Sequence, residues 1–347
     1  MNAAPLLEVR DLKVWFPTAR GIVKAVDGVS FRLQPKEALG IVGESGCGKT
    51  VTALSILRLF GPATRVRIQG EVLFEDRNLL KVSRKEMLQI RGVQIGMVFQ
   101  DPLTALDPIM PVGEQIAESI RFHLHFDPKR ARARTLELLD LVGIPDPRQR
   151  IDDLPHSFSG GMRQRLVIAM AIACGPKVLI ADEATTALDV TVQAQILRLI
   201  NDLRRELSMA LIVITHDLGV IAATCENVQV MYAGKAAEYA DVAHILEGGS
   251  HPYTQGLMRL VPRLDQDRHR RLRPIDGTPL TVVDAWQGCR FAPRCEHAWE
   301  RCRVDEPGLL PLGPDHASAC WLVEEPSRRG ADRRAANYQP GAVDHVS

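Results

Sequence analysis

The octapeptide Gly43-Glu44-Ser45-Gly46-Cys47-Gly48-Lys49-Thr50 limits what this chain can fold into more than any other stretch. It follows the apolar run Ala38-Leu39-Gly40-Ile41-Val42 and precedes the helix-forming segment Val51–Leu57. Strand, glycine loop, helix is the setting a phosphate-binding loop requires. The glycines let successive N–H groups point inward at phosphate oxygens, and the helix N-terminus adds partial positive charge. Lys49 is placed to reach the β- and γ-phosphates of a nucleotide and the Thr50 hydroxyl to ligate Mg²⁺. By chance the pattern arises in a chain this long on the order of one time in a hundred. Its strand–loop–helix setting lowers those odds further.

Three more apolar runs end in residues with chemistry. Ile95–Phe99 stops at Gln100, Val178–Ala181 at Asp182-Glu183, and Leu211–Thr215 at His216. Continuous rather than alternating apolar runs predict strands buried on both faces, hence a mostly parallel sheet flanked by helices. In such sheets ligands bind beyond the carboxyl ends of the strands, so Gly43, Gln100, Asp182-Glu183 and His216 are expected to converge on one nucleotide. Asp182 would hold Mg²⁺, and Glu183 would act as general base on the attacking water.

Around this core, residues 6–42 and Gly70–Phe74 read as β-rich, with Leu12, Val14 and Phe16 alternating. From Asp101 to about Gly175 the pattern turns helical: Gly113–His123 and Lys129–Val142 are amphipathic. Thr191–Leu207 reads as a further helix. Ser159-Gly160-Gly161 can open a helix whose core face includes Leu166, Ala169, Met170 and Ala173. A helix start of this kind is also a second anion site, intelligible if it serves the nucleotide of a partner subunit.

The ordered set resembles the ATP-binding subunits of ABC transporters over about 6–247. Phe158-Ser159-Gly160-Gly161-Met162 is similar to their signature motif, Gln100 to the Q-loop glutamine, Asp182-Glu183 to the Walker B pair, Ala187-Leu188-Asp189 to the D-loop and His216 to the switch histidine. Two departures stand out: Ala184 where many members carry Pro, and Met162 where Gln is common. Neither removes a catalytic group. The resemblance implies an α/β P-loop NTPase with a mostly parallel core sheet, an antiparallel β subdomain, a helical subdomain at about 101–175 and a small irregular C-terminal extension. Two cassettes would sandwich two ATP molecules head to tail, each site joining one P-loop to the partner's Ser159 and Gly161, with Gly160 between them. Glu183, His216 and Gln100 are the implied catalytic residues. Gly43, Glu44, Ser45, Gly46, Cys47, Gly48, Lys49, Thr50, Asp182 and Asp189 are the implied nucleotide contacts, and Thr50, Gln100 and Asp182 would surround Mg²⁺. An aromatic some thirty residues before Lys49 stacks on adenine in this family; Phe16 is the candidate, Trp15 its rival.

Beyond residue 247 the chain changes character. His251-Pro252-Tyr253-Thr254, Gly277-Thr278-Pro279 and Gly288-Cys289-Arg290-Phe291-Ala292-Pro293-Arg294-Cys295 look like the extension of oligopeptide and dipeptide importer ATPases. So does the run Thr185–Gln195. The resemblance implies import of peptides, or of related cargo such as nickel chelates. The implied partners are two transmembrane permeases, a second ATPase subunit in a head-to-tail dimer (a different chain, as the subfamily often pairs two, or a second copy), and an extracytoplasmic substrate-binding protein. A soluble ABC-type regulator is the other reading. Those proteins carry two cassettes or a long coiled coil, whereas one signature motif and no sustained heptads occur here.

Four of the seven cysteines, Cys289, Cys295, Cys302 and Cys320, crowd into the extension 248–325 with spacing C-x5-C-x6-C-x17-C. Thiolates gathered in a Pro-rich segment point to a metal staple. Zinc sites favour C-x2–4-C pairs, which are absent here, whereas iron–sulfur clusters tolerate varied spacing. The resemblance leads to a four-iron cluster, with zinc as the alternative. Cys47, at the start of a helix, is expected to have a lowered pKa and to be open to alkylation. The tail 326–347 has almost nothing to bury and is expected to be disordered.

The net charge of +1, from 43 basic and 42 acidic residues, argues against a dominant nucleic-acid surface. No apolar run approaches the roughly 18 residues of a membrane helix. The N-terminus lacks the pattern of a secretory signal. The expectation is a peripheral protein on the cytoplasmic face of the membrane.

Overall fold

The structure, a computed structural model, describes residues 4–185, 189–261 and 274–329. Among the described residues, twelve strands form two sheets. The antiparallel sheet contains β1 (Leu7–Thr18), β2 (Gly21–Leu33), β4 (Arg67–Phe74) and β5 (Arg77–Asn78), in the order β2-β1-β4-β5. The main sheet contains β3 (Ala38–Val42), β6 (Ile95–Val98), β7 (Val178–Asp182), β8 (Ala210–Thr215), β9 (Asn227–Tyr232), β10 (Lys235–Asp241), β11 (Leu310–Gly313) and β12 (His316–Ser318). Its order is β11-β12-β10-β9-β3-β8-β7-β6.

The five strands β9, β3, β8, β7 and β6 are parallel. Every residue of β3, β6, β7 and β8 is buried. That is why their sequences read as unbroken apolar runs rather than as alternation. Two apolar cores lie on either side. One joins the main sheet to the antiparallel sheet through residues such as Leu39, Ile41, Leu7, Val14 and Val26. The other joins it to the helical region through Val98, Leu166, Ile168, Ile172 and Leu179.

The expected helices form. Pro128–Leu141 starts at Asp127, whose carboxylate accepts the Arg130 N–H at 2.9 Å. Pro at the first helical position costs nothing, because its missing N–H would have no helical partner there. Helix Arg84–Ile90 carries a capping box between Ser83 and Glu86. Gly160–Ile172 begins at Ser159, and Val190–Glu206 at Asp189. No helix of the described residues is long and apolar enough to cross a membrane.

The segment after residue 247 is less independent than its sequence implies. β12 pairs with β10 through Glu238↔Ser318 and Tyr239↔Ala317, and β11 pairs with β12. Tyr253, Leu257, Val282 and Phe291 belong to the core that the helical region shares. The extension therefore completes one edge of the main sheet. Of the tail, Pro326–Arg328 forms a short 3-10 turn, and Arg329 donates to the Ser250 carbonyl at 3.4 Å. Residues 330–347 lie outside the described residues.

Candidate functional site

The central strand β3 delivers Gly43–Thr50 to the sheet's carboxyl edge. Gly48 sits at φ +105° with the Ala25 carbonyl 2.3 Å from where a Cβ would stand, so only glycine fits. Lys49 opens helix Lys49–Ile56 and is almost fully buried. Its Nζ donates to the Gly43 carbonyl at 2.7 Å and the Glu44 carbonyl at 3.1 Å. The ammonium is thereby held over the concave side of the loop.

The strand-end residues come together here. The Thr50 hydroxyl donates to Asp182 Oδ1 at 3.1 Å. Gln100 Nε2 donates to Glu183 Oε2 at 2.9 Å. Glu183 Oε1 lies 4.0 Å from Lys49 Nζ and 3.6 Å from His216 Nδ1. Four strands, β3, β6, β7 and β8, thus bring their terminal side chains to one carboxylate. Glu183 sits at φ +47°, in the left-handed region unusual for a side chain of its size. Such strain is sustained only where the surroundings fix it, as its N–H bonded to the Ile214 carbonyl at 2.9 Å does. Burial pushes the Asp182 carboxyl up to about 6, against the hydrogen bond from Thr50. A desolvated carboxylate beside a hydroxyl is an oxygen pair suited to a hard divalent cation.

The remaining expected contacts lie elsewhere. Ser159 and Gly160 are exposed on the helical region, where the Ser159 hydroxyl accepts the Met162 N–H at 3.4 Å. A Cβ on Gly161 would meet Val192 at 2.7 Å. Asp189 is exposed and caps its helix through the Thr191 and Val192 N–H groups. Ala187 and Leu188 lie outside the described residues. Phe16 meets Phe60 edge to face at 5.9 Å, whereas Trp15 donates to Asp27 at 3.3 Å beneath the Lys24 ammonium.

One expectation about cysteine needs correction, and a second finds no direct support. Cys47 is 5% exposed, and burial pushes its thiol pKa up rather than down. The helix N-terminus is present, but desolvation outweighs it. In the extension, Cys289, Cys295, Cys302 and Cys320 all line one cavity with Phe291, Trp299 and Trp321. Burial pushes Cys289 up to about 12 and Cys320 up to about 11, and raises Cys295 and Cys302. Yet among the described residues no three His, Cys, Asp or Glu side chains are grouped so as to hold a metal ion. The four thiols thus share one cavity but are not grouped as a ready-made ligand cage.

Sequence reasoning missed what the extension does at the loop. Tyr253 Oη accepts the Glu44 N–H at 2.8 Å, and Arg294 grips the Glu44 carboxylate with both terminal nitrogens, at 2.6 and 3.0 Å. Both residues lie in stretches singled out for their subfamily likeness, but nothing local says which side chain they meet. Glu44, expected as a nucleotide contact, is turned to the extension by these bonds.

The sequence profile of the family described as "ABC transporter" matches residues 26–186, and that described as "Oligopeptide/dipeptide transporter, C-terminal region" matches residues 237–302. The chain is 49% identical to the dipeptide transport ATP-binding protein DppD of Bacillus subtilis, over 92% of this chain and 95% of that one. It is 46% identical to the oligopeptide transport ATP-binding protein OppD of Haemophilus influenzae, over 92% of this chain and 98% of that one. Among solved structures, a bacterial ABC transporter cassette determined as a dimer superimposes with a TM-score of 0.60 at 26% identity, covering 68% of this chain and 98% of that chain.

Proposed function

This chain belongs to the ABC transporter ATP-binding family, and from that premise we propose that it is the ATP-hydrolysing subunit of a peptide importer. The observation that carries the mechanism is the convergence of Lys49, Gln100 and His216 on Glu183, beside the Thr50–Asp182 pair. Lys49 and the loop N–H groups bind the β- and γ-phosphates. Thr50 and Asp182, with Gln100, would hold Mg²⁺, which when bound would neutralise charge on the phosphates. Glu183 takes the proton of the attacking water, and Gln100 and His216 fix the carboxylate and the γ-phosphate end of the site. Phe16 stacks on adenine.

The second half of the composite site is Ser159, Gly160, Gly161 and Asp189 of another ATPase subunit, a different chain. The exposure of Ser159, Gly160 and Asp189 supports that reading. Two permeases and an external binding protein complete the assembly at the cytoplasmic face of the membrane. Peptide cargo rests on the dipeptide and oligopeptide relatives and on the matched C-terminal region. The test is the transporter reconstituted in lipid vesicles. Di- or oligopeptide with its binding protein should stimulate ATP hydrolysis and be taken up, and Lys49→Ala should abolish both. Stimulation by nickel chelates and not by peptides would overturn the cargo.

An iron–sulfur cluster on Cys289, Cys295, Cys302 and Cys320 belongs with this reading. Its support is that the four thiols face one cavity lined by aromatic residues. Against it stands the lack of any ion-holding group among the described residues. Iron and acid-labile sulfide in protein purified without oxygen decide it; a colourless, iron-free preparation removes it.

A further inference from the structure

Arg294 is presented by a 3-10 turn, Ala292–Arg294, inside the Cys289–Cys295 loop. Its side chain is 5% exposed although it carries a full charge. Each of its five N–H donors has a partner within reach. Nη1 reaches Glu44 Oε2 and, at 3.5 Å, the Tyr232 hydroxyl; Nη2 reaches Glu44 Oε1 and, at 3.2 Å, the Ile275 carbonyl; Nε reaches the Asp276 carbonyl at 2.8 Å. The hydrogen bonds to Glu44 raise the arginine's pKa still further. Tyr253, fully buried, holds the same residue's N–H.

The extension reaches the neighbouring strand as well. Lys24 N–H donates to the Val282 carbonyl at 3.0 Å, Asp284 pairs with Ile22 through both its N–H and its carboxylate, and Arg290 pairs with Asp27. β2 in turn supplies the Ala25 carbonyl that abuts Gly48.

We propose that Arg294 is a positioning residue for nucleotide binding, through which the C-terminal extension sets the phosphate loop. The inference rests on the reading of Gly43–Thr50 as the ATP phosphate site. Two physical effects act together. The two-pronged contact pins the second residue of the loop, fixing the direction of the carbonyls that seat Lys49. The guanidinium also neutralises a carboxylate standing beside the place a polyanion must occupy. Without Arg294, Glu44 would be a partly buried, unpaired charge that repels the phosphates.

Equilibrium binding of MgATP to the purified full chain tests this. Arg294→Ala should weaken binding about ten- to a hundredfold, the worth of hydrogen bonds to a charged group. Turnover at saturating ATP in the assembled transporter should change little. Adding Glu44→Gln to Arg294→Ala should recover most of the affinity, because the repelling charge is gone; a merely structural arginine would not be rescued this way. Arg294→Lys, which keeps the charge and loses the fork, should fall between, and it serves if Arg294→Ala does not fold. Folded Arg294→Ala that binds MgATP within twofold of the parent overturns the proposal, as does a double variant no better than the single. Lys49→Ala is the control: if it still binds ATP normally, the phosphate-site reading fails, independently of Arg294.

Discussion

Replacing Glu183 by glutamine removes one charge and one proton acceptor and leaves the outline of the site in place. The amide oxygen can still accept from Gln100 Nε2, which now donates at 2.9 Å, so the glutamine pair need not separate. The attraction between Glu183 and Lys49 at 4.0 Å is lost. So is the repulsion from Glu183 that contributes to the raised pKa of Asp182. These two changes oppose each other, and fold stability should move by no more than about 1 kcal/mol. ATP binding should be retained or tighten, because Lys49 loses a competing anion and the phosphates lose a repelling one. The chemical step should suffer the loss of a general base, roughly 10²- to 10⁴-fold, or about 3–5 kcal/mol in barrier. The assays are phosphate release by the assembled transporter and the thermal midpoint of the chain with and without MgATP. Bound ligand at a hundred times its dissociation constant should add about 2.7 kcal/mol of stability in parent and variant alike. Turnover within threefold of the parent, at saturating ATP, would refute the base role. Loss of the ligand-induced stabilisation would refute the claim that binding and chemistry separate at this residue.

Cys47 should resist N-ethylmaleimide in the native chain near pH 7.5 and react readily once the chain is unfolded in urea, as mass spectrometry of the labelled peptide would record; equal rates would contradict its burial. Stability should fall in mild acid through His251. Burial holds this ring's pKa down to about 4 against the opposing pull of Glu238, while its Nδ1 accepts the Tyr253 N–H at 3.0 Å. The unfolded chain takes up that proton below about pH 6.5, so stability is present at neutral pH and is lost as pH drops toward 4, by up to about 3 kcal/mol. Urea midpoints between pH 7 and 4.5 should show a shallower fall in His251→Asn, and parallel curves would clear His251 of the effect.

The parts of the fold that were legible owe their signal to local causes. Strands buried on both faces cannot alternate, so β3, β7 and β8 announce themselves, and their terminal residues name the site. Asp127-Pro128 and Ser159-Gly160 mark helix starts because capping is a contact over three residues. Pairings between distant segments leave no such trace. His316-Ala317-Ser318 carries no strand pattern, and its place beside Glu238 and Tyr239 is set by main-chain bonds across some eighty residues. Glu44 and Arg294 stand 250 apart in the chain. Cys47 shows the converse failure. It stands just before a helix, but the sign of its pKa shift depends on burial in a core that holds distant residues such as Met231, which the local sequence does not contain.

The order of the main sheet places its last-made strands at one rim. Once β9 and β10 have left the ribosome, the parallel strands and the phosphate loop can assemble, yet β10 keeps an open rim until residues beyond 316 arrive. Over that interval a row of unpaired N–H and C=O groups is available to any other nascent chain. Glu238 has the same history. Fully buried in the finished protein, it receives the Ser250 and His251 N–H groups and faces His316 at 2.9 Å, all supplied by later sequence. A chain cut near residue 247 would strand that carboxylate and leave the rim open to sticking. The extension thus serves as the closing hem of the cassette, covering a strand edge that would otherwise be open to sticking.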